Sequence, residues 1–146
     1  MAVTTKEKVT TKKKQEELDW TAAREEWVEA VNQLVQQITE WTKDAGWTVT
    51  TTEREINEEN IGVYRVPDAK INTPQGQLML EAWGRGYRNN VGRVELAAWP
   101  GAFRVLLLHR VGETDWRIYT DSGITLRYPW TRETFLNLAE DLLGSE

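Results

Sequence analysis

Leu18–Gly46, LDWTAAREEWVEAVNQLVQQITEWTKDAG, decides the fold. Trp20, Ala23, Trp27, Val31, Leu34, Ile38, Trp41 and Ala45 follow one another at steps of three or four, the spacing that places side chains on one face of an α-helix. At roughly 100° per residue they lie within roughly ±40° of one line, and Val28, Ala30 and Val35 widen the apolar arc to roughly 160°. Glu25, Glu29, Asn32, Gln36, Glu40 and Lys43 take the opposite side. The helix therefore has one wet face and one face that must be covered. Lys43 in its last turn and Gly46 behind it, a residue at ease in the left-handed conformation, are stop signals. Trp20, Trp27, Leu34 and Trp41 also recur every seven residues, as in a coiled-coil seam. The arc is wider than such a seam, so the helix is expected to be the lid of a core, with Trp27, Leu34, Ile38 and Trp41 buried. Trp20, at its outer end, is the candidate for contact with a second chain.

Beyond Gly46 the period changes from 3.6 to 2. Trp47, Val49 and Thr51 alternate with Thr48, Thr50 and Thr52, and β-branched residues favour a strand. Glu53 to Asn60 reads as an acidic connection, and Gly62 to Val66 as a second strand stopped by Pro67, which cannot donate to a ladder. Thr73-Pro74-Gln75-Gly76 is a turn. Gln77 to Trp83 and Arg93 to Trp99 then alternate, with Leu78, Leu80, Ala82, Val94, Leu96 and Ala98 on the apolar side. Between them runs the irregular stretch Gly84 to Gly92. Phe103 to Arg110 is the most apolar segment and the expected central strand. Trp116 to Thr120 and Ile124 to Tyr128 follow, separated by turn residues.

Thr131 is an N-cap residue, Glu133 complements the dipole of a following helix, and Phe135, Leu138, Ala139 and Leu142 form its stripe. The expected fold class is α+β: a long N-terminal and a short C-terminal helix packed on one face of an antiparallel sheet of six or seven strands. Residues 1–14, lysine-rich and without apolar period, read as a flexible basic tail, and 15–146 as a single domain. The sheet face away from the helices would then carry Trp83, Glu95, Trp99, Arg104, Arg117, Tyr119 and Arg127.

The net charge of −5 conceals a segregation. Residues 1–14 carry five Lys against Glu7, a balance of +4, whereas 15–60 carry twelve acids against Arg24, Lys43 and Arg54, a balance of −9. Residues 61–130 return to +3, with eight of their nine bases Arg, and 131–146 stand at −3. A mildly basic sheet layer under an acidic helical layer follows, either as complementary solvation or as an arginine-bearing face for an anionic partner. The absence of Cys removes disulfides, thiolate metal sites and cysteine nucleophiles. No apolar run has the length of a signal peptide or membrane span, so the expected location is cytoplasmic, with no membrane partner.

No organised catalytic set emerges. His109 falls in the alternating set of Phe103, Val105 and Leu107 and reads first as a core or sheet-end histidine; a general base would need Glu95, Asp115 or Asp121 within reach. Ser122 lies in no nucleophile elbow. Glu81 and Glu95, on neighbouring strands, read as cross-strand partners of arginines before they read as an acid pair. Glu55, Glu58 and Glu59 lack the spacing of a calcium loop, and Gly84-Arg85-Gly86 lacks the remainder of a phosphate loop. No metal and no cofactor is expected.

What is left is a surplus of aromatic and arginine side chains, eight Trp among them, the residue types enriched where proteins meet. The first expectation is a non-enzymatic module that binds another protein or its own copy, as a homodimer, through Trp83, Arg85, Tyr87, Arg88, Arg93, Trp99, Arg104, Arg117, Tyr119 and Arg127. The alternative is a nucleic-acid-associated protein using Arg85, Arg88, Arg93 and the Lys12-Lys13-Lys14 tail, since cations interleaved with aromatic rings suit single strands. A small enzyme centred on His109 is the third.

Overall fold

Helix α1 spans Thr5–Lys43 and ends where the sequence places its stop. Gly46 takes a φ of 77°, its N–H donates to Lys43 O, and Trp47 N–H reaches back to Thr42 O, the paired bonds that satisfy the last carbonyls of a helix. The structure, a computed structural model, describes residues 5–87, 91–99, 104–110, 116–120, 125–126 and 129–144. The helical backbone begins ahead of Leu18 and takes in the lysine-rich stretch that lacks an apolar period. Its buried stripe is Ala23, Trp27, Val31, Leu34, Val35 and Ile38.

Among the described residues seven strands follow in a meander, each antiparallel to the last: β1 (Thr48–Glu58), β2 (Gly62–Thr73), β3 (Gly76–Tyr87), β4 (Val91–Trp99), β5 (Arg104–Arg110), β6 (Arg117–Thr120) and β7 (Thr125–Leu126). Helix α2 (Arg132–Gly144) closes the chain. Thr131 caps it, its hydroxyl accepting from Thr134 N–H at 3.2 Å. Buried residues of both helices and of one sheet face join in a single core. This is the α+β arrangement read from the sequence.

Besides the earlier start of α1, β3 runs on to Tyr87 and β4 begins at Val91, inside the stretch read as irregular, and two boundaries in β1 and β2 differ from the sequence reading. Glu53 to Asn60 is not a connection: β1 continues to Glu58, and the turn holds Glu59, Asn60 and Ile61, with Asn60 at a φ of 73°. Pro67 does not stop the second strand, which runs on to Thr73. The β2–β3 ladder begins only at Ala69, so at Pro67 the strand has a neighbour on one side alone, where a missing N–H is tolerated. Opposite it, at Glu53, the alternation slips by one residue. Val49 faces the core before the slip and Ile56 after it in β1, as do Val66 before and Ala69 after in β2. Both strands slip together and their pairing stays one to one.

Two aromatic clusters hold the layers. Trp27, 1% exposed, donates from Nε1 to Tyr64 Oη at 3.2 Å and packs against His109 and Trp116, ring centres 6.4 and 5.9 Å away. Tyr64 in turn donates to the Glu58 carboxylate. At the other end Trp41, Trp130 and Phe135 pack mutually, with centres 5.6 to 5.9 Å apart. Trp41 is half-buried rather than buried: it packs against the core from its margin, on Trp130 and Phe135. Burying aromatic and branched side chains of this size stabilises by about 1.5–3 kcal/mol each.

Candidate functional site

β3 and β4 form the middle of the sheet, and their alternation sends every second side chain away from the helices. Gln77, Met79, Glu81 and Trp83 line that face of β3, and Arg93, Glu95, Ala97 and Trp99 that of β4. The register sets Gln77 opposite Trp99, Met79 opposite Ala97 and Glu81 opposite Glu95. From Gln77 to Trp83 is six residues, about 20 Å at ~3.3 Å per residue, so Trp83 and Trp99 stand as two posts at opposite ends of the pair. Trp83 is 48% exposed and Trp99 67%.

Between the posts lies a hollow of about 170 Å³ lined by Met79, Glu81, Glu95, Ala97, Ala98 and Trp99. Its floor is apolar and its centre carries two carboxylates set directly across from each other, a pairing that costs stability in an isolated sheet. At the far end the Arg93 guanidinium lies 4.4 Å from the centre of the Trp83 ring, a cation–π contact, while Arg93 Nε is buried with no hydrogen-bond acceptor. Register shifts lie beside this contact, between Ala82 and Gly84 and between Gly84 and Tyr87. A regular ladder would set residue 83 directly opposite Arg93; the irregularity pairs Gly84 with Arg93 instead, and the Trp83 ring lies beneath the guanidinium.

Where β2 parts from β3, Arg54 fills the gap. Its Nη2 donates to the Ala82 carbonyl, beyond the end of the β2–β3 ladder, and its Nε lies 3.0 Å from Asp68 Oδ2. Burial pushes the Asp68 carboxyl above its usual range; Arg54 opposes that shift and the Glu81 charge adds to it.

The remaining residues singled out from sequence are placed as follows. Arg117 is exposed on β6 opposite Leu108, and Tyr119 is half-buried opposite Leu106; Leu106 and Leu108 are in turn the β5 partners of Glu95 and Arg93. Arg104 pairs with Ala97 by its backbone. Arg85 and Tyr87 belong to the backbone of β3, whereas Arg88, Arg127, Asp115 and Asp121 lie outside the described residues. Trp20 is half-buried and packs against the core. His109 is buried on the helix side, its ring 5.0 Å from that of Trp116, and Glu95 is on the opposite sheet face, so these two do not share a cleft. Met79, Glu81 and Ala97 were absent from the sequence-derived site, although the alternation already placed Met79 and Glu81 beside Trp83.

Among the described residues no group of three or more His, Asp or Glu is placed to hold a metal ion, and no helix is long and apolar enough to cross a membrane. Comparison with protein families, with curated proteins and with solved structures finds no match.

Proposed function

We propose that this chain is a binding module that recognises another protein through the open face of β3 and β4. The observation that carries this reading is the pair Trp83 and Trp99, exposed on central strands instead of edges or loops. A solvated sheet face is ordinarily polar, and two indoles left in water there are the anchors that buried interface pockets favour. The apolar hollow and the opposed Glu81 and Glu95 between them suit a partner segment that brings an apolar group flanked by a cation. A phosphate backbone laid on the same face would meet those two carboxylates, and the Arg93 guanidinium is engaged with Trp83.

The test is affinity capture with the immobilised protein, run beside a Trp83→Ala/Trp99→Ala variant that keeps its fold. Specific partners should be retained by the native face and weakened roughly 30-fold or more by the double substitution, the usual loss when an anchor is truncated. Equal recovery by both proteins, or none by either, would remove the proposal.

A further inference from the structure

The sheet ends on one side at β1, a strand of eleven residues. Its outer side offers the alternate N–H and C=O groups that β2 does not use. Among the described residues no backbone hydrogen bond joins Thr48–Thr52 to anything but β2. Such an edge is a template for another strand unless charge, proline or a bulge blunts it.

β1 is blunted along half its length only. Glu53, Arg54, Glu55 and Glu58 charge the second half. The first half, Thr48-Val49-Thr50-Thr51-Thr52, has no charge, no proline and no glycine; every residue is β-branched, and all but Val49 are exposed. These are the residues that pair best across strands.

We infer that two copies of this chain pair edge to edge, antiparallel, through Thr48–Thr52 of β1. The charge pattern sets the register in which a second copy meets this edge without opposing like charges. A two-fold axis normal to the sheet at Thr50 places Thr50 against itself, Val49 against Thr51 and Thr48 against Thr52 of the second copy, with no charge among the paired positions. Moving the axis to Glu53, Arg54 or Glu55 sets a like charge against itself, which is disfavoured. The same axis keeps the helices on one side of a continuous sheet and both Trp83–Trp99 faces on the other. The pairing itself uses neither tryptophan and does not depend on what the open face binds.

Five paired residues make a reversible dimer, so the test is sedimentation equilibrium of the full chain from dilute solution up to about 1 mM, where even associations of about 4 kcal/mol are seen. The mass should rise toward two chains, and the amides of Val49 to Thr52 should gain protection from hydrogen exchange as it does. Thr50→Lys, an exposed substitution that leaves the core untouched, should weaken association at least tenfold while leaving the tryptophan fluorescence of the fold intact. A chain that stays monomeric throughout, or a Thr50→Lys variant that associates like the native chain, overturns the inference. So does association abolished by Trp83→Ala/Trp99→Ala, which would mean that copies meet through the open face. Retention of partner capture by Thr50→Lys separates this outcome from that of the recognition face.

Discussion

Gly92 lies directly under the indole of Trp27: a Cβ at position 92 would fall within the van der Waals envelope of Cζ3, Cε3 and Cη2 of that ring. The ring is held from its other sides by Tyr64, His109 and Trp116 and has no room to retreat. Overpacking at such a contact costs about 1–3 kcal/mol. Gly92→Ala should lower the unfolding free energy by that amount in urea titrations followed by tryptophan fluorescence, and Gly92→Val should lower it further.

Tyr64→Phe removes the acceptor of Trp27 Nε1 and a donor to the Glu58 carboxylate while preserving shape. A buried donor deprived of its partner costs about 1–3 kcal/mol. Equilibrium unfolding should register that loss, and amide exchange at the β1–β2 turn should accelerate, since Glu58 stands beside that turn.

Trp99→Ala and Trp83→Ala should behave differently from any change to Trp27. Trp99 is two-thirds exposed, so its truncation should alter stability by no more than about 0.5 kcal/mol. Trp83→Ala should cost about 0.5–1 kcal/mol by losing the Arg93 contact. Thermal melts check both, and near-native stability with lost partner capture would separate recognition from folding.

Asp68 supplies a pH signature. Its carboxyl is raised in the folded chain, chiefly by burial, so the native state binds the proton more tightly than the unfolded chain. The group's contribution to stability is complete below the unfolded value near 3.8 and is lost as pH rises through the folded value. In urea titrations across the acid range, the midpoint of Asp68→Asn relative to the native chain should therefore climb as pH rises through that window and level off above it. A difference that stays flat, or falls, contradicts the assignment.

Thr131→Ala removes the side-chain acceptor at the start of α2. The expected cost is about 1 kcal/mol, read from denaturant midpoints, and Thr131→Ser should restore most of it.

Wherever one neighbour in sequence controls the backbone, the chain could be read directly. The stripe from Ala23 to Ile38, the stop at Gly46, the Pro74-Gln75 turn, the Thr131 cap and the alternation of β3, β4 and β5 all follow from local periods and dihedral preferences, and together they determine the α+β order and the inward-facing set. The alternation by itself also brings Trp83, Glu81, Glu95 and Trp99 to one face. The extension of β1 through Glu53–Glu58, by contrast, has no local signal, because pairing with β2 makes that acidic segment a strand. Pro67 is tolerated because β3 does not pair with β2 at that point, a matter of ladder length that no propensity records. Trp41 packs on Trp130 and Phe135, and the Arg93 guanidinium lies over the Trp83 ring, contacts between segments distant in sequence. Short-range sterics and the apolar period are properties of the sequence; ladder ends, shared contacts and an uncovered edge arise from the placement of distant segments, and only the tertiary structure decides them.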